Sequence, residues 1–66
     1  NWGAPAALPA LVGALEDAEP LVRGHAAWAV GRIGTSDALA ALHARLAVET
    51  DGSVREEIEA ALGERS

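Results

Sequence analysis

The 66-residue chain has no cysteine, methionine, phenylalanine or tyrosine, and it has no lysine either. Without cysteine it can form no disulfide, and it offers neither a thiol nucleophile nor thiolate ligands for a metal. Without lysine it has no amine for a Schiff base and no phosphate-binding P-loop lysine. No apolar run approaches the roughly 18 residues that a membrane span needs. These absences argue against thiol, amine and membrane-spanning functions for this segment.

Half of the residues are apolar, and alanine, leucine and valine supply nearly all of that half. This composition suits close packing between helices and predicts an all-α fold. A chain this short buries only about 60% of the surface that its unfolded form exposes, so it forms at most one small domain of modest stability.

The formal net charge is −5, but the charge is unevenly distributed. Residues 20–48 carry three arginines and one aspartate, which sum to +2. A chain that is acidic overall binds nucleic acid poorly by charge alone. The arginines at positions 23, 32 and 45 nevertheless leave room for a local basic face.

The chain repeats itself, and the two copies align residue by residue. Residues 19–23 align with residues 51–55 at an offset of 32, and both segments end in Val-Arg. A leucine pattern recurs at an offset of 31, as Leu8, Leu11 and Leu15 and then as Leu39, Leu42 and Leu46. Such a period, split into two helical patterns, indicates an α-solenoid, in which each helix pair buries its apolar face against its neighbours.

Four helices are predicted, at about residues 5–15, 20–33, 37–48 and 53–63. Pro5 and Pro9 suit the first turn of the first helix, where a missing N–H costs little. The predicted core residues recur at helical spacing; they are Leu8, Leu11, Val12, Leu15, Val22, Ala26, Ala29, Val30, Ile33, Leu39, Leu42, Leu46, Val54, Ile58, Ala61 and Leu62.

Glycine and short polar residues mark the predicted helix ends. Gly34 is the better C-cap for the second helix, because glycine adopts the left-handed conformation without strain. Thr35 or Ser36 caps the third helix, and Asp51 or Ser53 caps the fourth.

The two ends of the chain differ in character. Residues 1–3 align at an offset of 31 with residues 32–34, the tail of a helix, so we expect the solenoid to be truncated on its N-terminal side. The last helix is acidic and resembles a polar terminal cap. The sequence thus predicts the C-terminal part of a larger protein, with a bared apolar face that packs on a preceding repeat. The isolated chain is expected to self-associate through that face.

Residues 17–34 carry the pattern Asp-x-x-Pro-x-Val-Arg followed by Ala-Ala-x-Ala-Val-Gly-x-Ile-Gly. This pattern resembles the HEAT-like repeats, including the subfamily named after phycobilisome lyases. The complete run from Pro20 to Gly34, with residues 46–51 and 54–58, is similar to the C-terminal HEAT-like domain of bacterial epoxyqueuosine reductases. Val30 departs from the usual leucine, and Trp2 stands where small polar residues are common.

The resemblance implies an α–α superhelix that belongs to a cytoplasmic tRNA-modifying oxidoreductase. That family reduces epoxyqueuosine to queuosine with a cobalamin and two 4Fe–4S clusters, which are bound by cysteine-rich upstream domains. This chain would then hold no cofactor and catalyse nothing itself; it would pack on the catalytic domain and support tRNA recognition. The alternative is a protein–protein interaction scaffold from another protein, such as a bilin-lyase relative, which the acidity favours.

The second predicted helix carries a second stripe, which lies to one side of its core stripe and consists of Leu21, His25, Trp28 and Arg32. An aromatic ring, an imidazole and a guanidinium could stack on a base and grip a phosphate. The simpler alternative is that the stripe packs on a preceding repeat or on the catalytic domain.

Arg23 recurs as Arg55 in the second copy. A residue that every copy carries is expected to pair with an acid or with carbonyls of the adjacent repeat, and phosphate contact is the alternative. His43 is expected to be partly buried. His25 and His43 lie on different predicted helices without suitable partners, so no metal site is predicted.

Overall fold

A computed structural model describes residues 7–63. Within that range the secondary structure consists of four helices: α1 (Leu8–Ala14), α2 (Pro20–Ile33), α3 (Ser36–Val48) and α4 (Gly52–Gly63). The predicted all-α class is therefore confirmed. The proposed start of the first helix at Pro5, and the alignment of residues 1–3 with a helix tail, lie outside the described residues.

Short polar side chains and glycine set the helix ends. Thr35 Oγ1 accepts a hydrogen bond of 3.2 Å from the Ala38 backbone N–H at the start of α3. Asp51 Oδ1 accepts bonds of 2.9 and 3.0 Å from the N–H groups of Ser53 and Val54 at the start of α4. Gly34 ends α2 with φ 67°, a conformation that favours glycine. Of the two candidates for each N-cap, the structure selects Thr35 and Asp51.

The helices pack around α2, which contacts all three of the others and has its most extensive contact with α4. The buried core consists of small and aliphatic side chains: Leu15, Ala26, Ala27, Val30, Ala38, Leu42, Val54 and Ile58. At the α2–α4 contact, a Cβ placed on Gly31 would lie 2.7 Å from the Ala61 Cβ. The absence of a side chain at Gly31 therefore lets the two helices approach closely.

One predicted core residue is misplaced. Val22 is 39% exposed, whereas its repeat equivalent Val54 is 2% exposed. The two positions are equivalent in sequence, but α2 packs against α4, and no described helix packs in the same way on Val22. Ala27, which the predicted stripe omits, is instead completely buried.

None of the described helices combines the length and the apolar character that crossing a bilayer requires.

Candidate interaction surface

The four residues of the second stripe lie on an exposed face of α2, which we call the α2 surface: Leu21, His25, Trp28 and Arg32. Leu21 is 70% exposed and Trp28 is 51% exposed. The Arg32 guanidinium carbon lies 5.5 Å from the centre of the Trp28 ring, a cation–π arrangement. The structure thus combines apolar area and one positive charge on a single helical face. Whether tRNA or another domain contacts that face remains a prediction.

A shallow groove of about 890 Å³ runs along α2 beside this surface. Leu11 and Ala14 of α1 line one side, and Ser53, Val54 and Glu57 of α4 line the other. Its lining is largely apolar, which suits a helix or an aromatic group better than a charged small molecule.

The side of α2 that points away from α4 forms what we call the open face: the exposed Val22 and the buried Ala29, with the half-buried Leu11 and Ala14 of α1. Val22 and Ala29 lie about 160–180° around the helix from Gly31, which touches α4. On α4, the equivalents of Val22 and Ala29 are Val54 and Ala61, and both pack towards α2 and the core. The same repeat positions thus face the core on α4, whereas no described helix covers Val22 on α2.

Arg23, for which phosphate contact was the alternative to a structural role, lies elsewhere. Its Nε donates to Glu49 Oε1 at 2.8 Å, and its Nη2 donates to Glu49 Oε2 at 2.9 Å. Its Nη1 donates to the carbonyls of Asp17 at 2.7 Å and Ala18 at 3.2 Å. All three guanidinium nitrogens thus bind within the chain, to an acid and to carbonyls. This is the structural role that the repeat predicts for it.

Glu49 is the acid that sequence reasoning missed. Although acidic residues surround it in the sequence, Glu49 is only 3% exposed. Besides Arg23, it accepts bonds of 3.0 Å from Arg45 Nε and from the Asp51 backbone N–H. The bidentate hydrogen bond from Arg23 is the main cause that lowers the pKa of Glu49 to about 2, and the bonds from Asp51 and Arg45 add to it.

A sequence signal for this acid existed. Asp17 stands at the equivalent position of the preceding copy, and it makes the same local turn: its Oδ1 accepts a bond of 2.9 Å from the Glu19 backbone N–H. An acid that recurs at a fixed distance before a recurrent arginine identifies a pair that the repeat uses. Arg45 reaches the same carboxylate from four residues earlier in α3.

Arg55 copies part of this arrangement. Its Nη1 donates to the carbonyls of Leu46 at 2.9 Å and Glu49 at 3.2 Å, as Arg23 does in the preceding copy. Its ion pair is weaker, because Glu59 lies 3.9 Å away and is exposed. Since Arg23 and Arg45 are both held by Glu49, the predicted basic face reduces to Arg32 among the described residues.

The histidines form no metal centre in the described residues. His43 is exposed, not partly buried as predicted. Over residues 7–63 no group of three or more histidine, cysteine, aspartate or glutamate side chains is arranged to hold a metal ion.

Helical hairpins that stack in a regular repeat and leave an exposed helical face define an α-solenoid, a repeat protein that works through its surfaces. A sequence model of HEAT repeats matches residues 1–63. The chain belongs to the HEAT repeat family.

The chain is also similar to a protein of Geobacillus stearothermophilus described as an uncharacterized protein in the gldA 3′ region. The two are 47% identical over 53 residues, which cover 79% of this chain and 24% of the relative. The match thus spans about a quarter of the length of that relative. No solved structure matches the chain significantly.

Proposed function

We propose that this chain is a non-catalytic scaffold module that binds its partners through α2. This proposal rests on the α2 surface, where Leu21 and Trp28 expose apolar side chains beside the positive charge of Arg32. A large exposed aromatic ring beside a cation is a typical contact residue of protein and RNA interfaces. HEAT repeats in general form helical scaffolds, and no catalytic constellation accompanies this surface in the described residues.

The open face gives the scaffold its second contact. It packs, in this proposal, on a preceding repeat of a longer parent protein. The contrast between Val22 and Val54 supports this, since the same residue is buried where a helix of the same repeat type covers it. The relative, about four times as long as the matched segment, supports a longer parent.

The parent that we propose is an epoxyqueuosine reductase of the cytoplasm, with this chain as its C-terminal cap supporting tRNA recognition. The similarity of residues 20–34 to that family's HEAT-like domain is the basis for it. The cobalamin and the two 4Fe–4S clusters of such a parent would bind in its other domains. They do not fit this chain, which lacks the cysteines that an iron–sulfur cluster needs.

In that parent, Trp28 stacks on an unpaired base, and His25 and Arg32 contact phosphate or sugar. Arg23 contributes indirectly, because its bonds to Glu49 hold α2 against the following repeat. Packing of the α2 surface on the catalytic domain is the competing role for the same residues.

The test replaces Trp28 and Arg32 with alanine in the parent enzyme and measures tRNA affinity over a range of salt concentrations. One lost stacking contact is worth about 1–3 kcal/mol, so affinity should fall by about tenfold or more. His43→Ala, on the exposed side of α3, is the control and should leave affinity unchanged. Full affinity in a folded Trp28→Ala/Arg32→Ala enzyme would contradict RNA contact and favour interdomain packing.

A protein–protein scaffold in another parent is the second candidate. The net charge of −5 and the pairing of Arg23 and Arg45 with Glu49 favour it, since little positive potential remains to attract RNA. The sequence of the parent distinguishes the two: cysteine clusters of the ferredoxin type before this segment support the reductase, and uninterrupted repeats support the scaffold.

A further inference from the structure

The face that α2 turns towards α4 is made of small residues. A Cβ on Gly24 would lie 3.9 Å from the Glu57 side chain, Ala27 is fully buried, and Gly31 meets Ala61. These three residues leave α4 room beside α2, although only at Gly31 would a side chain clash, with Ala61; at Gly24 an added methyl group would make an ordinary contact. They therefore describe the kind of helix that can cover a face built like the open face.

The equivalent positions on α4 are different. At an offset of 32, Gly24 corresponds to Glu56 and Ala27 to Glu59, while Gly31 corresponds to Gly63. Glu56 and Glu59 are both exposed. A helix stacked on α4 as α4 stacks on α2 would bury both carboxylates, and removing an uncompensated charge from water is strongly unfavourable.

The open face is otherwise matched to α4 of a second copy of this chain. The chain spans two repeat periods, so a second copy displaced by both periods would continue the repeat. Gly63 of one copy would then lie over Ala29 of the next, as Gly31 lies over Ala61. Arg55 would reach Asp17 of the next copy, as Arg23 reaches Glu49. Glu56 and Glu59 break this complementarity.

We propose that the open face binds a helix of a preceding HEAT-type repeat with glycine or alanine at the positions of Gly24, Ala27 and Gly31. We further infer that Glu56 and Glu59 keep α4 of a second copy out of that site. This inference rests on the proposed packing against a preceding repeat. Two observations support the choice of occupant: the burial of Val54 under α2, and the greater length of the relative.

The test replaces Glu56 and Glu59 of α4 with alanine in this chain, so that α4 has small residues at the positions where α2 has them. In Glu56→Ala/Glu59→Ala, both carboxylates are removed and helix propensity rises. Sedimentation equilibrium should show self-association at least about tenfold stronger than in the unaltered chain, since two carboxylates no longer have to be buried without full compensation. The complexes should grow beyond dimers, because a head-to-tail contact does not close.

Two further variants identify the contact. Glu16→Ala/Asp37→Ala changes the net charge equally at exposed positions of other segments, and it should associate no more than the unaltered chain. Adding Val22→Glu to the α4 variant places a carboxylate on the open face and should reduce association to the level of the unaltered chain or below. Circular dichroism checks that each variant stays helical.

Three results would overturn the inference. The helical α4 variant could remain as monomeric as the control, it could associate despite Val22→Glu, or the unaltered chain could associate equally well. If the unaltered chain associates equally well, and Val22→Glu as a single substitution abolishes that association, the open faces of two copies pack on each other. The scaffold proposal would survive each result, because the tRNA-affinity measurement on the parent tests it separately.

Discussion

The two sides of α2 show what a neighbouring helix does to one repeat sequence. Towards α4, small residues bring the helices into contact and Val54 is buried. Away from α4, the equivalent Val22 is exposed beside a groove. The residue type is the same on both sides, so burial here is a property of the stack and not of the position within one repeat.

The two arginines extend the comparison. Arg23 crosses from its own repeat to a buried carboxylate at 2.8 Å, whereas Arg55 has only an exposed carboxylate at 3.9 Å. Both hold the carbonyls of the preceding loop. The carbonyl bonds therefore belong to each repeat, and the strong ion pair belongs to the junction between repeats.

Acid should weaken most the junction at which Arg23 of α2 pairs with Glu49 of the following repeat. The pKa of Glu49 is about 2 in the folded chain against an ordinary value of 4.5, so this group stabilises the fold above pH 4.5. That contribution, about 3 kcal/mol from the difference in pKa, is lost as the pH falls from 4.5 to 2. Urea unfolding at a series of pH values, compared between the unaltered chain and Glu49→Gln, measures it apart from Asp51, whose pKa is also lowered. A free energy of unfolding that is constant over this range would contradict the buried ion pair.

Glu49→Gln tests the same junction at neutral pH. The amide keeps the shape but loses the charge that Arg23 and Arg45 share, so we expect a loss of about 2–3 kcal/mol and a flatter acid profile. Glu59→Gln is the matched control on the exposed pair of Arg55, and it should cost less than about 0.5 kcal/mol. Equal losses in the two variants would show that the junction has no special role.

Val54→Ala and Val22→Ala compare the buried valine on α4 with its exposed repeat equivalent on α2. Removing two buried methyl groups at Val54 should cost about 2 kcal/mol, including the cavity that remains. The same change at Val22 should cost well under about 1 kcal/mol in the isolated chain, because much of that side chain is already in water. Chemical denaturation measures both, and a reversed order would refute the assignment of the two faces.

The smallest effects on stability are expected from the pair Gly31→Ala and Gly63→Ala. A methyl group at Gly31 meets Ala61 at 2.7 Å, so α2 and α4 must separate, and we expect a loss of about 1–2 kcal/mol despite the gain in helix propensity. At Gly63 nothing lies within 4 Å, and alanine should be neutral or slightly stabilising. Thermal unfolding followed by circular dichroism tests the pair. A destabilised Gly63→Ala variant would show that this position is not open.

Local signals predict much of this fold. Proline, glycine and short polar residues act within one turn of a helix, and α2 runs from Pro20 to Ile33 as expected. The period also predicts that Arg23 binds within the solenoid. The burial of Glu49 could not be read from its acidic surroundings, because it depends on the packing of α2, which brings Arg23 to a carboxylate 26 residues away. The exposure of Val22 likewise depends on which neighbours are present.

The contact between Gly31 and Ala61 carries a consequence for sequence variation. The space between the two positions is limited, so a larger residue at one is tolerated only when the residue at the other is smaller. A paired exchange, Gly31→Ala with Ala61→Gly, should restore what the first change removes. Among related chains, we expect the sizes at these two positions to vary in opposite directions.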